Sequence, residues 1–74
     1  MENQHQKITG YRDLSQEEID AMNKVKQIGI ALGQMVGEMR GMKDLDQRWV
    51  SIGATDLQTG LMALTRAVAQ PTTF

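Results

Sequence analysis

Apolar residues recur in steps of three and four along two stretches of this 74-residue chain. In the first, Met22, Val25, Gly29, Leu32, Val36 and Met39 keep that spacing, and Ile28 and Met35 widen the same stripe. This is the periodicity of an amphipathic helix. In the second, Val50, Ala54, Leu57, Leu61, Leu64 and Val68 repeat it, with Trp49 and Ile52 to one side. The segment LSQEEI marks where the first helix begins. Ser15 is placed as an N-cap and Glu18, three positions on, completes a capping box. Leu14 and Ile19 have the spacing of a hydrophobic staple, and Glu17, Glu18 and Asp20 put negative charge at the positive end of the helix dipole. Gly41 suits a C-terminal cap. MKDLDQ is then a short turn in which Asp44 or Asp46 can cap the next helix, and Pro71 stops that helix.

The pattern predicts one small all-α domain over residues 1–74. Its parts are an N-terminal arm (1–14), a first helix (15–40), a second helix (44–70) and a tail (71–74). A connection this short predicts an antiparallel hairpin.

Glycine complicates the first helix. Gly29, Gly33, Gly37 and Gly41 fall four apart, and each glycine in a helix interior costs about 1 kcal/mol relative to alanine. Once Gly41 is read as a cap, three remain on roughly one side. A stripe of small residues lets another helix approach closely, and the alternative is a ligand touching bare backbone.

Composition sharpens the need for a partner. A chain this small buries only about 60% of the surface its unfolded form exposes, and natural chains of this size add disulfides, a metal or oligomerisation. Cysteine is absent and His5 is the sole histidine, which excludes disulfides and thiolate zinc and disfavours a histidine metal site. Two broad apolar faces with no third long helix therefore predict a helical homo-oligomer. The polar N-terminus lacks the apolar core of a signal peptide. The longest apolar-rich stretch, 28–39, is interrupted by Gln34 and Glu38, well short of the ~20 residues that cross a bilayer. These features predict a soluble protein without a membrane partner. A net charge of −1 argues against polymeric nucleic acid held on a basic surface, but leaves room for a few cations focused on a small anion.

No catalytic constellation, GxGxxG or P-loop motif is present, and no cofactor is implied. The scarce aromatic and cationic residues carry what chemistry there is. Tyr11 precedes the first helix and either stacks on a base or packs against the hairpin. Lys26 sits at the margin of the apolar stripe, where it either snorkels to solvent or presents its ammonium to a phosphate. Arg48 lies in the first turn of the second helix beside Trp49, opposing the dipole, a placement that a bound anion would compensate. Ser51, Thr55 and Thr59 recur every four residues, with hydroxyls that face water, back-bond to carbonyls or bind phosphate or ribose. Trp49 reads as core or interface.

Two longer segments resemble a known family. MENQHQKITGYRDLSQEEIDAMNKVK (1–26) and RWVSIGATDLQTGLMALTRAVAQPTTF (48–74) are similar to the N- and C-terminal segments of phage anti-CBASS cyclic-oligonucleotide sponges. Residues 27–47 fall outside the resemblance, the hairpin is several turns shorter than the family's, and Ala54 stands where the family carries a basic residue. The resemblance implies a helical protomer that assembles into a hexamer in the cytoplasm of the infected bacterial host. It further implies binding of cyclic nucleotide messengers without cleavage, which would starve the CBASS effector. The ligands it implies are cyclic dinucleotides such as cyclic GMP-AMP, and cyclic trinucleotides at a second kind of site. Tyr11 and Lys26 correspond to the dinucleotide-site tyrosine and lysine, and Arg48 to the trinucleotide-site arginine. Ser51 and Thr55 extend that second site by helical spacing. The rival readings are a helical oligomerisation module with no small-molecule ligand and, third, a small enzyme that degrades the messenger.

Overall fold

The structure, a computed structural model, describes residues 13–73. It consists of two helices, α1 (Gln16–Arg40) and α2 (Gln47–Ala69). Local sequence sets both starts. Ser15 is extended (φ −72°, ψ 167°) and its Oγ accepts from the Glu18 amide at 3.2 Å, while Glu18 Oε1 accepts from the Ser15 amide at 2.8 Å. Both halves of the capping box are thus made, and two otherwise orphaned donors are satisfied. At α2 the cap is Asp46, not Asp44. Its Oδ1 accepts from the amides of Arg48 and Trp49 at 3.1 and 3.3 Å, so the helix starts at Gln47, later than the expected residue 44.

The turn is tightened by bonds that the sequence pattern did not reveal. Gln47 Nε2 donates to the carbonyls of Met39 and Met42 at 3.1 and 3.0 Å, capturing two carbonyls at the end of α1. Gly41 does cap α1, but with right-handed backbone (φ −84°), its amide donating to the Glu38 carbonyl at 3.1 Å. The left-handed cap sits instead on Gln70 (φ 43°). Pro71 disfavours helical backbone at the residue before it, so α2 ends at Ala69 and Gln70 turns the chain away.

The helices pack as a hairpin. Near the turn Arg40 reaches Ser51, and higher up Gly29 lies against Leu61, so the pairing runs antiparallel. On α1 the half-buried residues include Met22, Val25, Gly29, Leu32, Val36 and Met39, the stripe expected from periodicity. On α2 they include Val50, Ala54, Leu57, Leu61 and Val68, but Thr65 takes the place expected for Leu64, which is 56% exposed. The Thr65 hydroxyl donates to the Leu61 carbonyl at 2.9 Å. A polar side chain that satisfies itself on its own helix can face the seam without an unmet hydrogen bond. Ile28 and Met35 likewise lie off the seam, at 49% and 45% exposure.

Among the described residues none is buried. Among the described residues each helix is covered only by the other along this seam, and they enclose no buried core. No described helix is long and apolar enough to cross a membrane.

Candidate functional site

Each helix turns two flanks away from the seam, and the antiparallel register joins them into two faces of the hairpin. One face carries Lys26, Gly33, Gly37 and Arg40 from α1 and Ser51, Thr55, Gln58 and Met62 from α2. The bond from Arg40 Nη1 to Ser51 Oγ (3.4 Å) ties its two halves together. Between them runs an open groove of about 310 Å³, lined by half-buried Leu32, Val36, Leu57 and Leu61, by Gly33 and Gly37, and by Arg40 and Gln58.

The glycine stripe is divided by this geometry. A Cβ at Gly29 would come within 3.3 Å of Leu61 Cδ1, whereas one at Gly33 or Gly37 would meet nothing within 4 Å. Gly29 lets α2 approach. Gly33 and Gly37 leave the groove open.

Charge is unevenly shared. Lys26, Arg40, Arg48 and Arg66 fall toward this face by helical register, whereas Asp20 and Glu38 point outward from α1 and Asp56 belongs to the opposite flank. Between Lys26 and Arg40 no carboxylate falls on this flank of α1. A surface of one sign beside low-dielectric walls focuses its field on an anion of the other sign. The Arg40–Ser51 bond is long for N–H···O, and a guanidinium carries five donors, so Arg40 retains donors for such an anion.

The expected site residues divide into two groups. Lys26 is exposed on α1 toward the end of the hairpin far from the turn. Arg48, Ser51 and Thr55 are exposed and share one stripe of α2 at the turn end. The Arg48 guanidinium carbon lies over the Trp49 ring, 5.4 Å from its centroid, a cation–π distance that fixes where the charge sits. From Lys26 to Arg40 is fourteen residues, and Arg48 precedes Ser51 by one helical turn. At 1.5 Å per residue, Lys26 and Arg48 are therefore about 25 Å apart along the hairpin. One chain does not bring them to a common ligand. Tyr11 and the arm it belongs to lie outside the described residues.

Sequence reasoning missed Arg40 and Gln58 at the groove rim. The available signal was spacing: Lys26 and Arg40 are two heptads apart and bracket Gly33 and Gly37 on one flank. Arg40 instead reads as nothing more than the last residue of a helix. Among the described residues no group of three or more His, Cys, Asp or Glu side chains is disposed to hold a metal ion.

Comparison with known proteins finds both a family and a relative. The family model described as the Acb2/Tad1 hairpin domain matches residues 3–69, including the 27–47 segment that the sequence resemblance left out. Anti-CBASS protein 2 of Pseudomonas phage JBD67 is 35% identical over 105 aligned positions, covering 96% of this chain and 97% of the relative. Ninety-six per cent of 74 residues is about 71, so about 34 of those 105 positions have no counterpart here.

Proposed function

This chain belongs to the Acb2/Tad1 hairpin family, and from that premise we propose that it is a phage anti-CBASS protein acting in the cytoplasm of the infected bacterium. It binds and sequesters cyclic nucleotide messengers without cleaving them, so that the CBASS effector is not activated. The relative's name carries the anti-CBASS role. The single observation that carries sequestration is the face on which Lys26 and Arg40 of α1 border an open groove with Ser51 and Thr55 of α2 on its other side, while Glu38 and Asp56 are turned away from it.

In this reading Lys26 pairs with a phosphate of a cyclic dinucleotide such as cyclic GMP-AMP, and Tyr11 stacks on its base. Arg48, with Ser51 and Thr55, receives a cyclic trinucleotide. The 25 Å between the two groups supports two sites rather than one. Cations and hydroxyls are groups that hold a phosphodiester through charge-assisted hydrogen bonds. The chain works as a homo-oligomer, a hexamer by family resemblance, because a hairpin whose described residues enclose no buried core needs copies to cover it.

The test is to incubate the protein with cyclic GMP-AMP, remove free ligand, denature the protein by heat and analyse what is released. Intact cyclic ligand is the expected result. Linear products would make the protein an enzyme, and no retained ligand would make it an oligomerisation module.

A further inference from the structure

The opposite face of the hairpin differs from the cationic one. Ile28 and Met35 of α1 and Trp49, Gly53, Gly60 and Leu64 of α2 lie there by helical register. Trp49 is 60% exposed and Leu64 56%, and a Cβ at Gly53 or Gly60 would meet nothing within 4 Å. The Arg48 guanidinium leans over the Trp49 ring from the neighbouring flank, 5.4 Å from its centroid, Lys24 stands one turn before Ile28, and Asp56 sits at the outer margin.

We infer that this face docks on the same face of a second copy, with the two α2 helices antiparallel, Gly53 opposite Gly60 and Trp49 opposite Leu64. The inference deepens the self-association within the proposed function by naming the surface that carries it.

Two observations select a second copy as the occupant. The first is area. At their observed exposures Ile28, Met35, Met42, Trp49 and Leu64 leave on the order of 500 Å² uncovered, within the range that marks an interaction site rather than a bare surface. Two such faces together reach about 1,000 Å², the lower bound for a specific interface. The second is self-complementarity. Along α2 the stripe reads large, small, small, large, as Trp49, Gly53, Gly60 and Leu64. Reversed, it retains that order. A two-fold axis between residues 56 and 57 therefore sets each glycine against the other and each large side chain against the other, as an isologous interface requires. The paired glycines admit a close backbone approach, and Trp49 is the aromatic anchor of the kind that dominates interfaces. The register brings Asp56 near its own copy, but at the exposed rim, where salt screens the repulsion.

Disulfide trapping tests the register, because the chain has no cysteine. Gly53→Cys and Gly60→Cys are made separately and then mixed under mild oxidation. In the inferred pairing, positions 53 and 60 of two copies adjoin. Two copies of the same position lie seven residues apart along the helices, about 10 Å and beyond disulfide reach. A covalent dimer in the mixture, absent from either variant alone, is expected. An intact oligomer with no heterodimer in the mixture overturns the register.

A second readout uses the unmodified protein, so it survives if the cysteine variants fail to assemble. Trp49 is the sole tryptophan, and its emission should be blue-shifted in the oligomer and move to the red on dilution. Solvent-like emission from a protein that sediments as an oligomer overturns the inference, as does a folded monomer. Neither readout involves a nucleotide, so failure here and failure of the ligand proposal are distinguishable.

Discussion

Replacing Lys26 or Arg48 by alanine should separate the two ligands. A hydrogen bond to a charged group contributes roughly 1.5–3 kcal/mol. A cyclic dinucleotide presents two phosphates, which a two-fold boundary would meet with two copies of Lys26. Losing both contacts amounts to about 3–6 kcal/mol, at least a hundredfold in affinity. The effect on the other site follows from distance. Removing a unit charge about 25 Å away changes a phosphate's energy by about 0.2 kcal/mol in water before screening. Screening by physiological salt, with a Debye length of about 8 Å, removes most of that. Lys26→Ala is thus expected to lose cyclic dinucleotide binding by a hundredfold or more while trinucleotide binding changes less than twofold. Arg48→Ala is expected to do the reverse. Isothermal titration calorimetry with each ligand, on variants whose oligomeric mass has been checked, is the assay. If Lys26→Ala weakens both ligands equally in an intact oligomer, the two-site reading fails.

Other substitutions probe how the hairpin holds these groups. Gly33→Ala places its methyl in open space and should stabilise the fold by about 1 kcal/mol through helix propensity. Gly29→Ala must displace Leu61 Cδ1 from 3.3 Å and should gain clearly less; equal gains in thermal unfolding would show that Gly29 does not set the approach of α2. Asp46→Ala removes the acceptor for the Arg48 and Trp49 amides and should cost about 1 kcal/mol, seen as a lower denaturant midpoint. Gln70→Gly relieves a left-handed backbone (φ 43°) and should stabilise by up to about 1 kcal/mol; no gain in the same assay would mean that Gln70 bears no strain.

The hairpin was legible because capping chemistry and three-four spacing are local. Ser15 and Glu18 announce α1, and the seam from Met22 to Met39 follows from residue order alone. The error at Leu64 is informative in this light. Periodicity ranks a leucine above a threonine, yet Thr65 satisfies its hydroxyl on the Leu61 carbonyl and faces α2's partner, which leaves Leu64 on the outer apolar face. A residue that serves a second surface cannot be told from one that serves the first when both surfaces lie on the same helix. Similarly, four glycines at equal spacing look like one device. They differ because Gly29 meets Leu61, Gly33 and Gly37 border a groove, and Gly41 caps α1, distinctions that depend on the neighbouring helix. Lys26 and Arg48 were singled out by scarcity and by placement against the dipole or at the stripe's edge. Arg40 gave no such signal, because a cation in the last turn of a helix already has an ordinary electrostatic reason to be there.

Native mass spectrometry of the protein loaded with cyclic GMP-AMP reads assembly, retention and chemistry at once. One defined oligomer, most simply six chains, should carry a fixed number of ligands whose released mass is that of the intact ring. An oligomer that retains nothing, or ligand heavier by one water, would contradict sequestration without cleavage.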